Sequence, residues 1–332
     1  MAPRLRSLSS FRRQRGIALL TALLLVSLAT VAVVAMTASQ QLGIRRLENT
    51  LRSDQAWQYA LGGELWARGI LARDYKDDGQ ERVDDLSEEW AIRLPPLPIE
   101  GGEIAGALVD LQGLFNLNNL ETPPQERQGE PPPTPWLDLF RRLLRLLEMD
   151  ERIAEAVQDW IDTDTVPRFP GGAEDGDYFD RKPPYRAGNG PLADVSELRT
   201  VAGIDAEGYA RLQAVVTTLP EKGVRINVNT APALVIQALD DAIDASAATE
   251  LVRRREKKTY VKVDDFIQEL ESIVGEDLKD PEGVKSLIAV NSHYFQVDSQ
   301  VILDRARLRL LGLLHRDDEG RIRIVRRWRE LF

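Results

Sequence analysis

The chain has 332 residues, enough for one or two buried cores, and 53 acidic against 43 basic side chains give a formal net charge of −10. An acidic body argues against a nucleic-acid partner, because phosphate binding needs a basic face. With no cysteine there is no disulfide or thiolate metal site, and two histidines, His293 and His315, leave little for imidazole catalysis or zinc.

The charge is unevenly placed. Arg4, Arg6, Arg12, Arg13 and Arg15 fall in the first sixteen residues with no acid, so the remainder alone carries about −15. From Gly16 to Ile44 nothing is charged. As a helix the apolar part, residues 17–38, spans about 33 Å, enough to cross a bilayer. Arginines ahead of it and acidity behind place the amino end in the cytoplasm and the body outside. A secretory signal has a shorter apolar region and a small-residue cleavage site, to which "AMTASQQ" is a loose match. An uncut signal anchor is a second reading. A third comes from the order basic tract, glycine, apolar helix in "RRQRGIALL", which resembles the class III leader of type IV pilins and pseudopilins. That resemblance implies cleavage by prepilin peptidase between Gly16 and Ile17 and methylation of the new amino terminus. It also implies a glutamate at the fifth mature position, where this chain has Thr21. A carboxylate without its partner is costly in hydrocarbon, so its absence suits a subunit with no neighbour on that side, at a filament tip.

Residues 39–74 continue the helical pattern, with Leu47, Leu51, Leu61, Leu65 and Ile70 expected on one face. Residues 75–120 read as a strand region, through the alternation in "IEGGEIAGALVDL". "ETPPQERQGEPPPTP", with six prolines in fifteen residues, reads as a linker. Amphipathic helices follow in "WLDLFRRLLRLLEMD", "ERIAEAVQDWID" and "PLADVSELRTVAGIDAEGYARLQAVV". Residues 121–290 thus form a helical insertion, and residues 291–332 return to strands. There "HYFQVDSQVIL", "RARLRLLGLL" and "RIRIV" alternate as an antiparallel meander, with a turn at "DDEG".

The insertion contains a weak repeat, at about residues 121–220 and 221–290. "FNLNNLE" and later "LADVSELRTV" are echoed by "INVNTAP" and "VKVDDFIQEL", with Asn expected to cap a helix and Asp to open the last one. The second copy resembles helix-hairpin-helix (SAM-like) domains, including those of competence-type DNA receptors. Its hairpin has "DDAIDASAA" where a DNA-binding hairpin has Gly-x-Gly, and it is acidic.

Five ordered blocks carry a wider resemblance: "RRLENTLRSDQAWQYALGGELWA", "LQGLFNLNNL", "DWIDTDTVPRFPGGAEDGDY", "PPYRAGNGPLADVSELR" and "INVNTAPA". With the leader and the closing strands, they resemble the minor pseudopilin K family of type II secretion. The resemblance implies an α+β, pilin-like fold: a long amino-terminal helix on a small antiparallel sheet, with a large inserted α-helical domain. It implies a single-pass protein of the bacterial inner membrane with a periplasmic body. The expected partners are minor pseudopilins I and J, then the major pseudopilin and the inner-membrane platform. The alternative is a membrane-anchored helix-hairpin-helix DNA receptor.

One stretch concentrates chemistry. "DWIDTDTVPRFPGGAEDGDYFD" carries Asp159, Asp162, Asp164, Glu174, Asp175, Asp177 and Asp180 around a Pro/Gly loop. Hard oxygens on a flexible loop suit calcium, whereas EF-hand spacing is not met. Residue types alone leave a solvated acidic loop equally open. The resemblance, whose members bind calcium in this loop region, implies calcium held by Asp162, Asp164, Glu174, Asp175 and Asp177, with Asp159 on the preceding helix. No Ser/His/Asp, Cys/His or phosphate-loop pattern accompanies it, and the expectation is a protein that is not an enzyme.

Overall fold

A computed structural model describes residues 15–77, 82–121 and 135–330. The leader before residue 15 and most of the proline-rich linker lie outside the described residues. Helix α1, Arg15–Asp77, runs unbroken for 63 residues, about 95 Å. Through residues 17–51 every side chain is exposed. Beyond that α1 buries a stripe of Ala56, Ala60, Ala67, Ile70 and Leu71. This corrects the expected face: Leu47, Leu51 and Leu65 project from the opposite side and are more than half exposed. Small side chains win the buried face because they let the helix approach the sheet closely. One acid lies on it, Glu64, whose carboxylate accepts from Arg327 Nε at 2.6 Å and Nη2 at 2.9 Å.

The sheet has five antiparallel strands: β1 (Leu94–Ile99), β2 (Gly102–Asp110), β7 (Tyr294–Leu303), β8 (Ala306–Arg316) and β9 (Ile322–Glu330), in the order β1-β2-β7-β8-β9. Val297, Val301, Leu308, Leu310 and Leu314 alternate inward and pack on α1. The β8–β9 turn closes against α1. Gly320 has φ +75° and its missing Cβ leaves room for the Tyr75 ring, so glycine is required twice over.

Strand β2 pairs with β7 from Gly102↔Leu303 to Asp110↔Phe295, although more than 180 residues separate the last pair. Leu111 N–H still donates to Tyr294 O at 3.0 Å. The helical body therefore leaves the sheet at residue 111 and returns at 294, rather than spanning 121–290. Phe115, Leu117 and Leu120 belong to its core, where Phe115 stacks on Phe140 at 5.2 Å. It is mounted at the end of the sheet far from the exposed half of α1. Ala56 and Ala60 face Val301, Leu303 and Leu308, whereas Ala67 and Leu71 face Leu108 and Phe295. The body also touches the sheet face opposite α1, where Trp328 Nε1 donates to Asp194 Oδ2 at 3.1 Å.

Two similar units make up the body. In the first, β3 (Phe115–Asn116) pairs in parallel with β4 (Val216–Thr217), enclosing α2 (Pro135–Leu146), α3 (Ile153–Ile161), α4 (Asp175–Phe179) and α5 (Ala206–Leu212). In the second, β5 (Ile226–Asn227) pairs in parallel with β6 (Ile288–Ala289). That pair encloses α6 (Ala233–Gln237), α7 (Ala245–Arg255), α8 (Val263–Val274) and α9 (Pro281–Leu287). The Asn-x-Asn pairs do more than cap. Asn118 accepts from Leu192 N at 2.8 Å and donates to Leu192 O at 3.0 Å. Asn229 does the same to Tyr260, at 3.1 and 3.0 Å. Each second asparagine thus clamps the backbone two residues before a helix-capping position, Asp194 in one unit and Lys262 in the other. A buried amide with both groups satisfied fixes that loop without a ladder.

Candidate metal centre and the stalk joint

The acidic loop starts at the end of α3, a helix buried along its whole length. Asp159 on its last turn is fully buried and held by Arg168, with Nε 3.2 Å from Oδ1 and the backbone N–H donating to Oδ2 at 3.0 Å. Asp162 follows as the C-cap. Its Oδ1 accepts from Asp164 N at 3.1 Å, and Asp164 Oδ1 accepts from Val166 N at 2.9 Å, so two successive side-chain turns bend the chain. Gly172 lets the loop come back over Asp159, because a Cβ there would collide with the Asp159 carboxylate and the Arg168 backbone. The return places Glu174, 4 % exposed, so that one carboxylate oxygen each of Asp162, Asp164 and Glu174 lies within 4.8 Å of the others. Arg168 Nη2 also reaches Asp162 Oδ2 at 3.3 Å.

Asp175 and Asp177 are not drawn into this group. Asp175 Oδ1 accepts from Ala187 N at 3.0 Å and its other oxygen faces Arg186 at 4.0 Å. Asp177 accepts from Glu174 N at 3.1 Å, capping the short helix α4. Both residues are acidic for local backbone reasons, which the count of carboxylates did not separate from ligation. The trio that does converge offers only hard carboxylate oxygens on a loop, a donor set that fits calcium and not a thiophilic metal. Arg168 was not anticipated; its signal was being the lone cation between Asp164 and Glu174.

A second acidic group lies where stalk, sheet and body meet. Asp74 on α1, Asp84 and Glu88 also bring oxygens within 4.8 Å of one another, but this group already holds its cation. Arg316 of β8 donates to Asp84 at 2.5 and 2.6 Å, to Asp74 at 2.9 Å and to Ser292 O at 2.9 Å. Burial raises the Asp84 carboxyl above its ordinary range despite the pull of Arg316. Glu88, which accepts from Trp90 Nε1, is pushed up to about 8 by burial and by the Asp74 charge. Beside it the buried Asp110 accepts from Ser292 Oγ at 2.7 Å, Thr230 Oγ1 at 2.5 Å and Asn227 Nδ2 at 3.1 Å. Burial pushes its carboxyl up to about 6. One polar network thus ties α1, both ends of the insertion and β8 together.

The residues leading into the acidic hairpin of the second unit are packed on the first unit. Arg142 of α2 donates to Ala238 O and Leu239 O at 2.7 Å each, and both residues are buried.

Comparison with known proteins agrees with this architecture. Two family models described as type II secretion system, protein K match residues 113–221 and 226–290, which are the two units of the body. The type II secretion system protein K of Pseudomonas aeruginosa is 39 % identical over 95 % of this chain and 93 % of its own length. That of Aeromonas hydrophila is 31 % identical over 96 % and 98 %. Among solved structures, a chain from the GspK-GspI-GspJ complex of the enterotoxigenic Escherichia coli type 2 secretion system superposes with a TM-score of 0.76 at 27 % identity. It is covered in full by 86 % of this chain. On these grounds the chain belongs to the type II secretion system protein K family.

Proposed function

We propose that this chain is the minor pseudopilin that caps a type II secretion pseudopilus and starts its assembly in the inner membrane. One observation carries the reading. The exposed apolar half of α1 continues into Leu47, Leu51 and Leu65 on the side turned away from the sheet, while a bulky body stands at the far end. Such a helix can pack laterally among partner helices, and the body above blocks addition of a further subunit. The partners are minor pseudopilins of the I and J type, as in the complex that holds the solved relative. Gly16 and Ile17 flank the prepilin peptidase cut and Ile17 carries the methyl group. Thr21 supports the tip position. Its hydroxyl donates back to Ile17 O and Ala18 O at 3.1 and 3.0 Å, so the helix presents no charge there.

The amino end lies in the cytoplasm and the body in the periplasm. Asp162, Asp164 and Glu174 hold calcium, which supplies the charge complement that lets three carboxylates share one loop and locks α3 to α4. The chain acts as a structural subunit rather than a catalyst. Mass spectrometry of the mature amino terminus together with co-purification of I- and J-type pseudopilins tests the proposal. A terminus other than Ile17, or a chain that purifies without them, refutes it.

A further inference from the structure

The turn that leads from the stalk into the sheet holds more acid than its cation balances. Residues 85–91 lie between the anchored Asp84 and strand β1, and end in a single helical turn at Glu89–Ala91. Two side chains dock this turn. Trp90 is 1 % exposed and meets the Phe295 ring edge-on at 5.2 Å. Glu88 points back to the end of α1, where one of its oxygens lies within 4.8 Å of oxygens of both Asp74 and Asp84. Its Oε2 accepts from Asp85 N–H at 3.3 Å and from the Trp90 indole, so one carboxyl holds both the turn and the tryptophan.

Three carboxylates meet there against one guanidinium. Arg316 divides its donors between Asp84 and Asp74, and no cation pairs with Glu88 among the described residues. The other charges nearby are engaged elsewhere or have the same sign. Arg73 turns to Glu89 at 3.1 Å, and Arg82 lies over the Tyr75 ring and faces Asp318 at 3.9 Å. Asp85 accepts from Ser87 and Thr259. Behind Asp84 stand the buried Asp110 of β2 and His293, whose Nδ1 lies 2.9 Å from Arg316 O. Carboxylates this close and this buried repel unless one takes a proton. With a proton on its other oxygen, Glu88 keeps both accepted bonds and turns the repulsion from Asp74 into a hydrogen bond. Its titration near 8, raised by burial and then by the Asp74 charge, agrees with this count.

We infer that a proton shared by Glu88 and Asp74 latches residues 85–91 onto the end of α1, and that its loss in alkaline medium releases the turn. Asp84 stays tied to Arg316, to Ser292 N and through its own N–H to Val290 O, so release begins beyond it. Trp90 and Ile92 go with the turn. Together with Tyr59 and Trp66 they line an apolar cavity of about 350 Å³ between α1 and the β1–β2 edge, so the surface beside the stalk changes with proton concentration while the sheet does not. Released, Glu88 titrates in water at its ordinary 4.5; docked, it titrates near 8. Between these values opening gives up a proton, so the latch weakens as pH rises and levels above about 8.

Hydrogen exchange of the detergent-solubilised full chain between pH 6 and 9, corrected for the intrinsic exchange rate, tests the latch. Protection of the amides of residues 86–92 is expected to fall about tenfold per pH unit from 6 to 8 and then level, while strand β7 keeps its protection. E88Q is expected to hold the acid-side protection across the whole range. D74N, which removes the repelling charge, is expected to shorten the fall. Wild-type protection that does not change with pH overturns the inference, as does an E88Q variant with the wild-type slope. Loss of β7 protection in parallel with the turn also overturns it, because the whole domain is then opening.

Discussion

Replacing Arg316 by methionine tests the joint between stalk and cap. Its side chain is 5 % exposed, and the partners it would abandon are Asp84 at 0 % and Asp74 at 9 %. Methionine keeps the packing against Phe295, whose ring centre lies 4.9 Å from the guanidinium carbon. It removes the Arg316 donor from two buried carboxylates and from the Ser292 carbonyl. Breaking a buried pair from one side costs about 3–5 kcal/mol, because the remaining charge is uncompensated. At about 2–4 °C per kcal/mol this is a fall in the melting midpoint of about 6–20 °C. Urea unfolding of the detergent-solubilised chain measures the free-energy loss, and thermal unfolding measures the shift in midpoint.

The pH dependence gives a second check. Asp84 already titrates above its ordinary range, and loss of Arg316 raises it further. A carboxyl raised in the folded state is penalised above its unfolded pKa, and the penalty vanishes once both states are protonated. The gap between variant and wild type is therefore widest near neutrality and closes toward pH 4. Adding D84N to R316M recovers part of the loss. A loss below about 1 kcal/mol, the range of an exposed pair, refutes the reasoning, as does a gap that pH leaves unchanged.

Other expectations concern single sites. Chelation of calcium lowers the melting midpoint of the wild type; free calcium at a hundred times Kd adds about 2.7 kcal/mol. D162N/E174Q abolishes that response and D175N keeps it, and an equal effect of the two variants would remove the distinction drawn between these acids. N118A and N229A each lose three side-chain hydrogen bonds and destabilise by about 2–4 kcal/mol in chemical denaturation; a difference between them larger than their common effect would break the equivalence of the two units. For Asp110, folded near 6 against 3.8 unfolded, the native state holds a proton that the unfolded chain has lost between about pH 4 and 6. Wild-type stability measured against D110N therefore falls by about 3 kcal/mol across that window as pH rises, then levels.

Much of this was readable in the residues because it rests on local chemistry. The uncharged run before Arg45, the alternation of the closing strands and the turn at residues 317–320 follow from burial periods and backbone preference, which neighbours along the chain determine. Asparagine pairs and their partner loops were visible as a repeat, since each repeats its own local pattern. Only the tertiary structure decided which face of α1 is buried. Leucines at 47, 51 and 65 are stronger hydrophobes than the alanines opposite, but close approach to the sheet selected the alanines.

The register that joins β2 to β7 is likewise a tertiary result, as it pairs residues on either side of the whole insertion. It moved the boundary of the body to residue 111. The same holds for charge. Seven acids between Asp159 and Asp180 look alike in sequence, yet loop closure over Asp159 gathers three, and backbone capping or Arg168 engages others. Asp74, Asp84 and Arg316 carry no pattern at all. Their meeting depends on a helix end, a connecting loop and a strand from opposite ends of the chain, and long-range contact of that kind leaves no periodicity to read.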